Sequence, residues 1–163
     1  MRRIEFFTYG VNRRWGIRVD GTDLREPLVE AVRPAWEAEE FFREKSPQEA
    51  EEFLRHQYGG LTALDFGEGD DRAARHFLGE GRGELWDGAT GTTVVLGCVC
   101  GVWECGPLYA RIDATADTVT WSGFRMPYRA AGDVLPLGPY VFDRGAYERA
   151  VNHPGHLARD PWA

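Results

Sequence analysis

The sequence predicts an α+β fold in which an antiparallel β-meander and an N-terminal hairpin are covered on one face by helices. Three observations predict it: a β-rich segment with a central turn at 4–19, capped helical patterns between 23 and 78, and closely spaced strand patterns at about 92–125. The chain has 163 residues, which is the length of one domain. We therefore expect 1–163 to form a single domain.

The N-terminal segment carries the signals of a two-stranded hairpin. The stretch from Ile4 to Tyr9 is rich in aromatic and β-branched residues, and residues 10–12 supply the turn. Residues 15–19 then alternate between apolar and polar side chains, which is typical of a half-buried strand.

A first helix is expected after this hairpin. Asp23 and Glu26 have the spacing of a capping box, and an apolar stripe follows them. Pro34 should end or kink this helix because proline lacks the backbone N–H. The charged stretch 37–45 is predicted to be either helical or a mobile connector.

The clearest helix start is at Ser46, which is followed by proline at the first helical position and by Glu49 at the third. Glycines at 59–60 are expected to stop this helix. A shorter helix is predicted at about 71–78, and the glycine-rich stretch 79–91 is predicted to be a loop.

The last helix is predicted at about 144–152. Asp143 is placed to cap it, while Phe142 and Tyr147 occupy the two positions of a hydrophobic staple. The segment 152–163 contains two prolines, and we expect it to be a loosely held tail.

From Thr92 the pattern changes to strands with short connections, which favours an antiparallel meander. The predicted strands are 93–100, 107–113 and 118–124. If a four-residue loop at 101–104 joins the first two, Cys100 lies directly opposite Cys105. This register predicts one apolar face: Val95, Val99, Leu108, Ala110, Ile112, Val119 and Trp121.

The same register predicts that three cysteines converge near the hairpin tip. Cys98 points to the same side of its strand as Cys100, because side chains alternate along a strand. Cys105 faces both of them from the neighbouring strand. Three convergent thiols are characteristic of a thiolate metal site, and zinc is the ion that we expect.

A zinc site needs four ligands, so this hypothesis needs one more residue. We favour His76, on the short helix before the meander, although the spacing does not require it. The other histidines that could serve are His56, His153 and His156.

Two other interpretations of the cysteines stay open. Directly opposed strand residues are close enough for a disulfide, so Cys100 and Cys105 could be a redox pair with Cys98 as the exchanging thiol. No lysine or histidine stands beside them in the sequence to lower a thiol pKa. The cysteines could also be small buried core residues.

Composition limits the function further. The net charge of −7 argues against nonspecific nucleic-acid binding, which needs clustered basic residues. No apolar stretch is long enough for a membrane span, and the N-terminus lacks the pattern of a secretion signal. An odd count of three cysteines favours reduced thiols, so we expect a cytoplasmic protein.

No catalytic residue can be assigned from a motif, and we expect a protein that is not an enzyme. The main hypothesis is a small protein with a thiolate zinc site. One alternative is an interaction module of the immunity or antitoxin type, which would bind a protein partner through its acidic surface and Trp103, expected to be exposed at the hairpin tip. Another is a thiol-dependent enzyme or redox sensor.

Three stretches of the chain contain distinctive strings of residues: Leu96-Gly97-Cys98-x-Cys100-Gly101-x-x-x-Cys105-x-Pro107-Leu108, Val119-x-Trp121-x-x-Phe124-Arg125-x-Pro127-x-Arg129 and Leu137-Gly138-Pro139-Tyr140-Val141-Phe142-Asp143-Arg144-x-x-Tyr147. Through these strings the chain resembles a family of uncharacterised bacterial proteins. The resemblance covers about 95–150, with a weaker match at 75–79, and does not include the N-terminal third. That family often has a histidine where this chain has Tyr128. If that histidine is a metal ligand, the resemblance implies either a weaker case for zinc in this chain or a fourth ligand at His76. It implies no activity.

Overall fold

Helices and strands are both present in the computed structural model, which describes residues 1–67, 69–127 and 134–163. The predicted α+β class is confirmed. The strands are β1 (Ile4–Tyr9), β2 (Arg14–Val19), β3 (Thr22–Asp23), β4 (Tyr58–Gly59), β5 (Trp86–Asp87), β6 (Thr92–Cys98), β7 (Leu108–Ala114), β8 (Thr118–Arg125), β9 (Tyr140–Asp143) and β10 (Gly155–Leu157). The α-helices are α1 (Arg25–Glu37), α2 (Glu40–Arg43), α3 (Pro47–Arg55), α4 (Arg72–Phe77) and α5 (Arg144–Asn152). No helix within these described ranges is both long and apolar enough to cross a membrane.

The first sheet is built on the predicted N-terminal hairpin. Strands β1 and β2 pair antiparallel, with Ile4 opposite Val19, and the turn between them places Gly10 at a positive φ of 74°. Strand β3 adds to the β2 edge, and β10 adds in parallel to the β1 edge.

The second sheet contains the predicted antiparallel meander. Strands β6, β7 and β8 are neighbours in sequence order, and β9 extends the row, with Val119 opposite Phe142. Strands β4 and β5 both pair with β6, over different parts of its length. The sequence did not predict β4, β5 or β9, because two to four residues are too few to show alternation.

An aromatic core joins the sheets to the helices. Phe77 stacks on Trp121 with ring centroids 6.1 Å apart, and both side chains are fully buried. Tyr147 of α5 accepts a hydrogen bond from the Trp121 indole at 3.0 Å and donates one to the backbone oxygen of Phe77. These contacts place α4 and α5 against the meander, so the expected helical cover is observed.

Two predicted helix starts are confirmed. The Ser46 hydroxyl accepts a hydrogen bond from the Glu49 amide at 3.2 Å, and the Asp143 carboxylate accepts one from the Ala146 amide at 2.8 Å. Helix α3 nevertheless ends before the predicted glycine stop, because residues 58–59 pair with β6 as strand β4.

The predicted cap of α1 is wrong in detail. The N-cap residue is Leu24, which makes no side-chain cap, and no capping box with Glu26 forms. The Asp23 carboxylate instead accepts from the Arg25 amide at 2.9 Å and also pairs with the Arg25 guanidinium. The spacing of the sequence predicted Asp23 as a helix cap, but its carboxylate is instead engaged by the buried guanidinium of Arg25.

Pro34 does not end α1, which continues to Glu37. Proline removes the bond that would join its nitrogen to the carbonyl of Glu30. Both Pro34 and Glu30 lie on the exposed face of the helix, where water can replace that bond.

The C-terminal tail makes specific contacts, contrary to the expectation that it is loosely held. Residues 155–157 form β10 against β1. Asp160 forms a salt bridge to buried Arg25 at 2.8 Å. The Trp162 indole donates to the carbonyl of Arg55 at 2.7 Å, so the tail fastens α1 and α3 together.

Candidate metal centre

The cysteines lie at the end of β6 and on the connection that follows it: Cys98 is the last residue of β6, and Cys100 and Cys105 are in the connection to β7, residues 99–107. Val94 is opposite Tyr109 but Leu96 is opposite Leu108, so a bulge shifts the register between Val94 and Leu96. The predicted loop at 101–104, with Cys100 and Cys105 as opposed strand residues, is therefore wrong. Neither residue is in a strand.

The bulge also changes the predicted faces. Val95 and Leu96 are adjacent, yet both are buried in the main core, because a bulge interrupts the alternation of side chains. Val99, predicted on the apolar face, is 42% exposed because the strand ends before it. Leu108, Ala110, Val119 and Trp121 do lie in the main core, and Ile112 packs against it.

The predicted convergence of the thiols is nevertheless observed. The sulfur atoms of Cys98, Cys100 and Cys105 all lie within 4.8 Å of one another. Two sulfurs on one tetrahedral zinc ion, each at about 2.3 Å from it, are about 3.8 Å apart. An inward movement of no more than about 1 Å would therefore bring all three sulfurs to that separation. The cluster could hold a metal ion.

Local backbone geometry creates this cluster. Gly101 has a φ of 97°, which reverses the chain after Cys100, and a 3-10 helix at Trp103–Cys105 returns the third sulfur to the other two. A Cβ atom on Gly97 would lie 2.9 Å from the Cβ of Trp103, so glycine permits the loop to fold against β6.

Trp103 is not the exposed tip residue that the sequence predicted. Its side chain is half-buried and packs on a small apolar cluster formed by Leu61, Leu85 and Val94. The indole therefore anchors the loop, two residues before Cys105.

Backbone amides point at two of the sulfurs. The Cys100 amide lies 3.5 Å from the Cys98 sulfur, and the Val102 amide lies 3.4 Å from the Cys100 sulfur. Such N–H donors stabilise a negative sulfur. The hydrogen bond from Val102 lowers the pKa of Cys100, and thiol donors from Cys98 and Cys105 add to this effect.

The other two thiols have raised pKa values. Burial raises the pKa of Cys98, although the Cys100 amide opposes this change. The hydrogen bond between the Cys105 and Cys100 thiols raises the pKa of Cys105. Without a metal, Cys100 is thus the first of the three to ionise.

Arg14 is a functional residue that sequence reasoning missed. Its guanidinium donates to the backbone oxygen of Cys98 at 2.7 Å and to that of Val99 at 3.1 Å. A third hydrogen bond, from Arg14 Nε to the backbone oxygen of Gly60 at 2.9 Å, holds the side chain in place. Its positive charge adds to the lowering of the Cys100 pKa and opposes the burial that raises the pKa of Cys98. Arg14 is 84 residues from Cys98 in sequence, so no local spacing could indicate it.

The structure does not bring His76 into the sulfur cluster. His76 is 4% exposed, and its Nε2 donates to the carbonyl oxygen of Val94 at 2.7 Å. Burial lowers its pKa to about 4, while the bond to Val94 acts in the opposite direction. The ligand role of His76 stays a prediction, and these contacts do not favour it.

The other histidines are also outside the cluster. His56 contacts the carbonyl of Glu52 at 3.0 Å, and His156 contacts the Thr8 hydroxyl at 2.8 Å. His153 lies at a shallow depression near the N-terminal residues. Within 1–67, 69–127 and 134–163, the three cysteines form the one group of at least three potential ligands.

The cysteines are not buried core residues. Cys100 and Cys105 are exposed, Cys98 is half-buried, and all three are free thiols. An apolar packing role would leave the sulfurs covered, so their exposure favours chemistry at this loop.

Comparisons with known proteins do not assign the chain to a family. No protein-family model matches it, and neither curated proteins nor solved structures show significant similarity to it. The resemblance to a bacterial family seen in the sequence gains no support from these comparisons. The function must therefore be inferred from the chemistry of the site itself.

Proposed function

We propose that the protein binds one zinc ion through the thiolates of Cys98, Cys100 and Cys105. The observation that carries this proposal is the arrangement of three sulfurs within 4.8 Å of one another, one at the end of β6 and two on the exposed loop that follows. The backbone donors to the sulfurs support it, because they favour the thiolate form that binds metals.

The ligand set favours zinc over harder cations. Thiolates are soft ligands, whereas Mg²⁺ and Ca²⁺ prefer oxygen. The loop contributes sulfurs alone to the cluster, and Zn²⁺ commonly takes three or four cysteines in proteins.

Zinc would stabilise the folded state in this proposal. Binding to the folded protein at a free zinc concentration about 100 times the Kd adds about 2.7 kcal/mol to the free energy of unfolding. The loop between β6 and β7 would gain most of the rigidity, because the ion would join two of its cysteines to Cys98 at the end of β6.

The direct test is native mass spectrometry of freshly purified, reduced protein, with metal content measured on the same sample. We expect one zinc per chain and slow alkylation of all three cysteines until a chelator is added. Chelation should also lower the urea midpoint. A protein that binds no zinc at micromolar concentrations would refute the proposal.

Two variants make the test specific. Cys100→Ser removes one sulfur and should weaken zinc binding at least about tenfold. Val102→Ser lies in the same loop, is also exposed and keeps the backbone amide, so it should bind zinc like the wild type. Equal loss in both variants would mean that the loop, and not the sulfur, determines binding.

Thiol chemistry at Cys100 is a second candidate function. It is favoured by the exposure of Cys100 and by the lowered pKa that the Val102 amide produces. The rate of iodoacetamide alkylation, measured against pH, tests it. A titration at the ordinary thiol value of about 8.5 would remove the support for this alternative.

A protein partner stays a prediction. Trp103 offers less surface than expected because it packs on the protein, so the acidic surface alone supports an interaction module. The prediction of a protein that is not an enzyme is likewise untested.

A further inference from the structure

A cavity of about 250 Å³ adjoins the sulfur cluster. Cys98 and Cys105 are both part of its lining. The remaining wall is largely apolar and includes Trp36, Tyr58, Pro107 and Met126. An ion held by the three sulfurs would therefore border an apolar cavity on one side.

The aromatic wall of the cavity is held in place from behind. The Trp36 ring packs edge-on against Phe53, with centroids 4.8 Å apart, and against Phe41 at 5.9 Å. Tyr58 is 6% exposed and belongs to strand β4, which pairs with β6. A preformed apolar wall of this kind lowers the ordering cost of binding a small molecule.

The number of protein ligands decides whether a zinc ion could also bind a small molecule. Zinc sites that hold four protein ligands are closed, whereas sites with three protein ligands keep a position for water or an exogenous ligand. Among the residues that the structure describes, the cluster contains three ligands. If these three sulfurs are the only protein ligands of the ion, its fourth position is open to a ligand from the cavity.

We infer that this fourth position is taken by a small thiol whose apolar body fills the cavity. This inference rests on the proposed zinc site. A sulfur donor matches the soft ligand set, and the apolar wall selects the body of the molecule. Drug-sized ligands use cavities of about 300–1,000 Å³, so this smaller cavity fits a molecule with a single ring.

The test uses the protein loaded with Co²⁺ in place of zinc, with benzenethiol as the probe. Three protein thiolates should first produce sulfur-to-cobalt charge-transfer bands, and their absence would contradict the proposed metal site. Benzenethiol should then shift the visible d–d bands while the cobalt stays with the protein on ultrafiltration. 2-Mercaptoethanol has the same donor without the ring and should need a concentration about tenfold higher. An unchanged spectrum, or cobalt stripped from the protein, would overturn the inference and leave the metal site standing.

A variant pair locates the probe. Gly106 lines the cavity, has an extended φ of −167°, and a Cβ there would have no atom within 4 Å. Gly106→Leu should bind Co²⁺ normally and lose the preference for benzenethiol. Gly83→Leu also adds a side chain in open space, away from the cysteines, and should keep that preference. If Gly106→Leu keeps the preference as well, the cavity is not the binding place.

Discussion

His76 should make the stability of this protein depend on pH in a defined window. Its imidazole is buried, and burial lowers its pKa from the ordinary value of 6.5 to about 4. A lowered histidine pKa means that the folded state favours the neutral ring. Between these two pH values the unfolded chain binds a proton that the folded protein does not, so stability falls as the pH falls.

The size of the effect follows from the two pKa values. Each pKa unit corresponds to about 1.4 kcal/mol, so the complete effect is about 3 kcal/mol. It is fully present above the unfolded value of 6.5 and fully lost below about 4. Between about pH 7.5 and about pH 4.5 the expected loss from this one residue is about 2.5 kcal/mol.

Urea denaturation at the two pH values measures this loss, and His76→Gln isolates it. The glutamine amide can still donate to the Val94 carbonyl but does not titrate. Over the same pH change, the free energy of unfolding of this variant should therefore fall by about 2.5 kcal/mol less than that of the wild type. Equal losses in the two proteins would refute the assignment of a neutral buried imidazole. The zinc affinity of the same variant should equal that of the wild type. Loss of zinc binding in this variant would indicate that His76 is a ligand.

Three further substitutions test other contacts. Arg25→Met leaves two partly buried carboxylates without their guanidinium and should cost about 3 kcal/mol of unfolding free energy in urea, less if Asp160→Asn is added. Arg14→Gln removes the hydrogen bond to the Cys98 carbonyl and should weaken zinc affinity about tenfold in a competition titration. The control variant Arg13→Gln, at the adjacent turn, should bind zinc like the wild type. Equal zinc affinities of the two variants would contradict a role of Arg14 in positioning the site. Tyr147→Phe removes the acceptor of a buried indole N–H and should lower the urea-derived free energy of unfolding by about 2 kcal/mol; an unchanged value would mean that the hydroxyl is not needed.

Local signals in the sequence predicted much of the fold. The caps at Ser46 and Asp143 depend on residues three positions apart, and both form as expected. The hairpin and the meander follow from alternation and turn residues over short stretches. The tail was mispredicted because its stability comes from Asp160 pairing with Arg25, a contact between distant residues that composition cannot indicate.

The candidate site, like the tail, also depends on contacts between distant residues that the sequence does not indicate. Cysteine spacing was sufficient to predict that three sulfurs converge, yet the predicted register that led there was wrong. The bulge near Val94 shifts the pairing, and the positive φ of Gly101 brings the sulfurs together by another route. Arg14 and the lining of the cavity come from other parts of the chain. Their positions depend on tertiary packing, which a single sequence does not display.

The pairing of Arg25 with Asp160 also bears on the order of events during folding. Arg25 is 3% exposed, but one of its two carboxylate partners is 135 residues away in the sequence. Asp23 alone balances the charge of the guanidinium, but the Nη1 donor of Arg25 has its hydrogen-bond partner in Asp160. We therefore expect this guanidinium to stay hydrated until the tail docks, which would make the burial of Arg25 a late step of folding.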